Sequence, residues 1–371
     1  MPSPLNIYRL FTDSEYPFTL SAKDWQNAVL ILRHESLLGR FAHRFLPLLD
    51  NISDPDLQAY LRTHLSNALT LAGRQNHSVQ FECEEINKTL NTKGITPLYL
   101  KGAAYSLLKN NTHLGRTYGD IDLLVEKQQV ESSERSLAMV GWIGKEVNDY
   151  DEKYYREWAH EIPPLCHGGR GTVADLHHNI VPLISKRAPD ISQFTVNRVK
   201  HNGFEVLNPA AMTLHSAIHL FLNEDFTKGL RDLSDLDCLF REYGDSKFWA
   251  EIYTLAQTTH FEVELFLAMY FCQRHFDTPV DQGTLNKLDT YSLGKKAYWR
   301  FIFAAAVGAK HPKAKVSGHG LRLFLAYIRG HYLKMPPITL LKHLTVKGWM
   351  SVTESVLGKS YLHNKDELAE K

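Results

Sequence analysis

Gly119-Asp120-Ile121-Asp122-Leu123-Leu124-Val125, with Lys101-Gly102 upstream, is the stretch on which the fold turns. Two carboxylates alternate with apolar residues, and an apolar run follows. On a β-strand, residues two apart share a face, so Asp120 and Asp122 project together while Ile121 and Leu123 point into a core. The two like charges lie at most about 7 Å apart by the strand rise. A hard divalent ion with oxygen ligands is the natural cation to sit between them. Taken alone, the pattern favours an edge strand with two solvated acids beside a glycine turn.

The surrounding sequence gives the stretch a context. Ile95 to Leu100 reads as a short strand ending at Lys101-Gly102, followed by a helix over Ala103–Lys109 and a polar turn over Asn110–Tyr118. A helix from Gln128 to Val140 returns the chain. Glu161–His167 and Thr172–His178 read as a β-hairpin joined by Gly168-Gly169-Arg170-Gly171. That glycine loop has a second reading as a phosphate cradle, but no helix start follows it, as a phosphate loop requires. In the second strand Val173, Asp175 and His177 share a face, which presents a third carboxylate.

These short elements predict an α+β fold, a small mixed sheet with helices on one side. Flanking segments read as helical. Ser21 with Asp24 makes a capping-box-like start before Trp25, Val29 and Leu32; Asp54-Pro55 opens a second helix through Leu61, Leu65 and Leu69; a third spans Gln75 to Leu90. Beyond Asn208-Pro209, helices are expected near Ala210–Leu222, Lys228–Tyr243, Phe248–Thr259 and Val263–Phe276. The expected division is an N-terminal helical region over 1–92, a catalytic core over 93–205 and a C-terminal helical region over 206–371.

With 44% hydrophobic and 22% charged residues in 371, the chain has the composition of an ordinary soluble globular protein. A net charge of +1 conceals an asymmetry: from Thr290 to Thr353 there is no Asp or Glu, while Lys295, Lys296, Arg300, Lys310, Arg322, Arg329 and others fall there. This 290–353 segment is a candidate surface for an anionic partner, RNA or a membrane surface, or a cover for the acidic part of the chain. Cys83, Cys166, Cys238 and Cys272 are scattered without a Cys-x-x-Cys pair, as in a reduced cytoplasmic protein. The first residues lack the apolar core of a secretory signal, and the Phe301–Val307 run is too short for a transmembrane segment.

Asp120, Asp122 and Asp175 together make a hard oxygen site for Mg²⁺, with two ions possible and Mn²⁺ as a substitute. Asp175 is the best placed of the three to accept a proton from an acceptor hydroxyl. Gly102, at a strand–helix junction, lets phosphate approach backbone N–H groups, with Lys101, Arg116 and the turn residue Gly119 around it. His177 is expected beside Asp175 or at the substrate. His160, Cys166-His167 and His177-His178 do not meet a standard zinc spacing, and His215 with His219 lacks the Glu of a zincin. Arg231 and Asp235, four apart, suit an intrahelical ion pair, with a place facing the nucleotide as the alternative.

Leu100-Lys101-Gly102, Arg116, Gly119 to Val125 and Asp175-Leu176-His177 together resemble the uncharacterised nucleotidyltransferase family of the DNA-polymerase-β-like superfamily. The resemblance is densest from Leu98 to His178. It implies NMP transfer from an NTP, ATP being the first candidate, to a hydroxyl of an acceptor, with Mg²⁺ as cofactor. The acceptor is left open between a small molecule, a protein and an RNA. By the same resemblance Gly102 matches the phosphate-turn glycine, Asp120 and Asp122 the paired metal ligands and Asp175 the third. Gly102 is followed by Ala103 where the superfamily usually has a serine, and the interval to Asp120 is longer. A non-catalytic binding module and a metal-dependent phosphohydrolase are the competing functions.

Overall fold

The computed structural model describes residues 5–144, 149–336 and 340. Among them is a single seven-stranded mixed sheet surrounded by helices, the α+β architecture expected. In chain order the strands are β1 (Leu98–Tyr99), β2 (Asp120–Leu124), β3 (Trp142–Gly144), β4 (Leu165–His167), β5 (Val173–His177), β6 (Val199–His201) and β7 (Phe204–Val206). They lie in the order β3-β4-β5-β2-β1-β7-β6.

Two pairings decide where the chemistry falls. β2 runs parallel to β5 with Asp122 opposite Asp175, and β1 runs antiparallel to β2 with Tyr99 opposite Leu123. Alternation then sorts the side chains as the sequence predicts. Ile121, Leu123, Ala174 and Leu176 are wholly buried on one face, and Asp122, Asp175 and His177 occupy the other.

Residues 199–206, for which the sequence reading names no strands, form the β6–β7 hairpin, and β7 pairs with β1 in parallel. Its turn is Asn202-Gly203, both with positive φ (49° and 85°), the two-residue geometry that matches strand twist. β3 was also absent from the expectation.

Helix starts are better specified. Ser21 Oγ accepts from the Asp24 N–H, Asp54 accepts from the N–H groups of Asp56 and Leu57 with Pro55 in the first turn, and Asn208 accepts from the Ala211 N–H. Each supplies a partner to a backbone donor that the helix leaves unpaired. The two helices expected between Asp54 and Leu90 are one helix of 37 residues, Pro55–Asn91. Gly73 within it has open space where a Cβ would sit, so nothing there demands a break.

Helix Pro209–Leu222 is apolar almost all round and is buried along nearly its whole length, the signature of a central helix. It packs against helices Gly229–Tyr243, Ser246–Thr259 and Glu262–Phe276. One continuous apolar core joins these helices to the sheet and to helices Ala22–His34 and Leu38–Phe45. The acid-free segment supplies helices Leu293–Ala306 and His319–Lys334, which pack on each other. Its Lys342 and Lys347 lie outside the described residues.

Candidate active site

Lys101 begins helix Lys101–Leu108 with a left-handed backbone, φ 43°. A non-glycine residue there stores about 1–3 kcal/mol of strain that surrounding contacts must offset. The compensating contact is visible: Lys101 Nζ lies 2.7 Å from Asp122 Oδ1 in the protein interior. The same oxygen lies 3.1 Å from His177 Nε2. An ionised carboxylate only accepts, so Nε2 carries the hydrogen. His177 therefore bonds Asp122 rather than Asp175, a correction to the expectation.

The electrostatics follow from who is paired. Burial would raise the Asp122 carboxyl, but Lys101 and His177 outweigh it and hold it well below the ordinary carboxylate range. Asp175 receives no such help. Burial first, then the Asp122 charge and Glu161, push it up to about 7. Its Oδ1 is buried and makes no hydrogen bond among the described residues. Two carboxylates on neighbouring strands, about 5 Å apart, repel by about 3 kcal/mol at an effective dielectric near 20. Asp120 stands at the exposed end of β2. Three oxygen donors, one of them without a partner, fit a hard divalent cation.

A cleft opens over this face, lined by Asp120 and Asp122, by Lys101, Gly102 and Tyr105, and by Arg116, Arg231 and Asp235 from farther along the chain. It gathers most of the residues the sequence singled out, although Asp175 and His177 are not among its lining residues. Helix Pro209–Leu222 contributes Ser216 and His219 to its wall. His215 is a buried core histidine and His219 reaches the cleft: burial, then Lys101, pushes His215 down to about 3 and His219 well below its ordinary value.

Gly102 lines the cleft and also has a steric role that the sequence does not show. A Cβ there would fall 2.7 Å from Arg116 Nη1, so the glycine makes room for an arginine. Arg116 is in turn fixed: its Nε lies 2.9 Å from Asp235 Oδ2, and its guanidinium stacks over Tyr118 at 5.1 Å. Asp235 Oδ1 takes Arg40 at 2.7 Å, and Arg40 also bonds Ser234 Oγ and the Thr112 carbonyl. The expected Arg231–Asp235 pair is absent among the described residues; Arg231 pairs with Asp232 at 2.8 Å instead. Gly119 is exposed with open space around it, so no steric demand fixes a glycine there.

Sequence reasoning missed Glu161. An isolated β-bridge sets it opposite His177, and its Oε2 lies 3.3 Å from His177 Nδ1. It also missed Arg40, which lies 195 residues from its partner Asp235. Neither carries a local motif.

A profile of the uncharacterised nucleotidyltransferase family matches residues 21–277. The chain belongs to that family. The match spans the N-terminal helices, the whole sheet and the helices through Phe276. Membership supports nucleotidyl transfer as the general activity, with a nucleotide as substrate, and such enzymes usually employ divalent metals. No curated protein and no solved structure shows a significant match. Among the described residues no helix is long and apolar enough to cross a membrane.

Proposed function

We propose that the protein transfers an NMP group from an NTP, ATP in the first instance, to a hydroxyl of an acceptor, with release of pyrophosphate. The observation that carries this reading is the in-register parallel pair β2–β5, which sets Asp120, Asp122 and Asp175 on one face beneath a cleft containing Lys101 and Arg231. The acceptor oxygen attacks the α-phosphorus, the bond to the pyrophosphate oxygen breaks, and the hydroxyl proton passes to Asp175. Asp175 suits that role because it lies opposite Asp122 on the neighbouring strand and its Oδ1 makes no hydrogen bond among the described residues. Lys101 and Arg231 offer positive charge to the triphosphate. Held by Asp120, Asp122 and Asp175, Mg²⁺ (one or two ions, or Mn²⁺) supplies neutralisation of phosphate charge and a more acidic acceptor hydroxyl.

Four free cysteines fit a cytoplasmic setting. A possible anionic partner belongs to the acid-free segment, where exposed Phe301, Leu321 and Phe324 are interspersed with Arg300, Lys313 and Arg322.

The test is incubation with each α-labelled NTP and a cell extract, with Mg²⁺, with Mn²⁺ and with chelator. Label should appear in one acceptor fraction only when a divalent ion is present. No transfer with either ion, or transfer undiminished by chelator, sinks the reading. One observation favours a second reading, a non-catalytic binding module: Lys101 already neutralises Asp122. An enzyme gains thermal stability from Mg²⁺ plus NTP by linkage. Stabilisation without transfer to any extract fraction selects the module.

A further inference from the structure

Next to Asp122, three side chains converge that the transfer reading leaves unused as a group. His160, Glu161 and His177 each bring a ligand atom to within 4.8 Å of the other two. We propose that they form a binding site for a borderline transition cation, Zn²⁺ in the first instance, separate from the hard-oxygen site of Asp120, Asp122 and Asp175.

The orientation of His177 is the first argument. Its Nε2–H is directed at Asp122 Oδ1, 3.1 Å away, while Nδ1 is buried and makes no hydrogen bond. Glu161 Oε2 is within ion-pair reach of that Nδ1, at 3.3 Å, but is not aligned to accept from it. An imidazole that gives one N–H to a carboxylate and leaves its other nitrogen without a hydrogen bond is arranged as metal-ligating histidines are. His160 is the second. Its Nδ1 is likewise buried without a hydrogen bond, and its ring lies 5.3 Å from that of His177.

The backbone holds the three together before any ligand arrives. The His178 N–H donates to the His160 carbonyl at 2.8 Å and the Ile162 N–H to the Leu176 carbonyl at 3.1 Å, on either side of the Glu161–His177 bridge. Donor chemistry then chooses the ion. Two imidazoles and one carboxylate suit Zn²⁺, whereas Mg²⁺ prefers oxygen alone. Three protein ligands also leave a fourth position for water or substrate. The rival account makes His177 an imidazolium clasped by Asp122 and Glu161, with no metal. It leaves the His160 nitrogen unexplained.

A cation at this site binds the lone pair of His177 Nδ1 and leaves the Nε2–H bond to Asp122 intact. It would thus fix the carboxylate on which the transfer reading depends, although the site itself does not rest on that reading.

Calorimetric titration of the metal-stripped full chain with Zn²⁺, in millimolar Mg²⁺, tests the proposal. One Zn²⁺ per chain is expected, with a Kd of about 1 μM or tighter. E161Q and H160A should each weaken binding at least about tenfold, and D120N should leave it within about threefold. Co²⁺ should give visible absorption of four-coordinate intensity that E161Q removes. E161Q is isosteric at a partly exposed position, so it decides the matter even where H160A does not fold. No binding tighter than millimolar, or equal affinity in wild type and E161Q, overturns the site whether or not nucleotidyl transfer is ever found.

Discussion

Asp122 and Asp235 are both buried aspartates with cationic partners, and they are used in opposite ways. Asp235 gives one oxygen to Arg40 and the other to Arg116, so two guanidiniums close on a single acid. Around Asp122 the ratio is reversed. Lys101 and His177 share one oxygen of Asp122, while Asp120, Asp175 and Glu161 stand near, and Asp175 Oδ1 has no hydrogen bond. A saturated buried charge is architecture: removing it leaves its partners stranded. A cluster with carboxylates in excess keeps capacity for a cation that is not part of the chain.

The contrast breaks first if Asp235 proves dispensable. Asp235→Ala should cost about 3–5 kcal/mol of stability, because two buried arginines lose their counter-charge. Urea unfolding measures it, and a loss below about 1 kcal/mol would remove the architectural role. Asp122→Asn should act on chemistry instead. Label transfer should fall at least about 100-fold, equivalent to about 2.7 kcal/mol in the barrier, with a smaller loss of Tm than in Asp235→Ala. Activity within tenfold of wild type would place the metal chemistry elsewhere.

Gly102→Ala lies between the two centres. Its methyl group meets Arg116 Nη1, so overpacking of about 1–3 kcal/mol is expected. Weaker NTP binding should accompany it as Arg116 shifts at the cleft wall. An unchanged melting curve together with unchanged NTP affinity would show that Arg116 has room to move.

The contrast also implies a pH dependence. A carboxyl raised to about 7 in the folded state holds more protons there than in the unfolded chain between about pH 4 and 7. Its contribution to stability therefore diminishes as pH rises through that window. With chelator present, Asp175→Asn should come closest to wild type below about pH 4, and its advantage in Tm should grow from there to about pH 7. A difference that does not vary with pH would mean that Asp175 ionises without penalty.

Much of this was legible in sequence because it depends on alternation and caps. Asp120, Asp122 and Asp175 could be assigned to one face of two strands by counting in twos, and Ser21, Asp54 and Asn208 mark helix starts by their side-chain oxygens. The Asn202-Gly203 turn of the β6–β7 hairpin is marked in the sequence as well, by an Asn-Gly pair suited to positive φ. What could not be read is pairing at a distance. Nothing near Arg40 points to Asp235, and nothing near Glu161 points to His177, because a single β-bridge leaves no periodic trace. The continuity of helix Pro55–Asn91 was hidden for another reason. Its apolar stripe is weak along the middle, and packing against helix Leu38–Phe45 and helix Lys101–Leu108 supplies what periodicity does not.

The Arg40–Asp235 contact also has a history in time. During synthesis Arg40 leaves the ribosome 195 residues before its counter-charge. Asp122 likewise precedes the strand bearing Asp175 and His177, with which it pairs in parallel. Contacts of such sequence separation form slowly, because a long loop must close before they contribute. The N-terminal helices therefore wait, with an uncompensated arginine, until helix Gly229–Tyr243 arrives. A nascent chain stopped short of Asp235 should remain open to protease and available to chaperones, and the cleft should be among the last parts of the molecule to take shape.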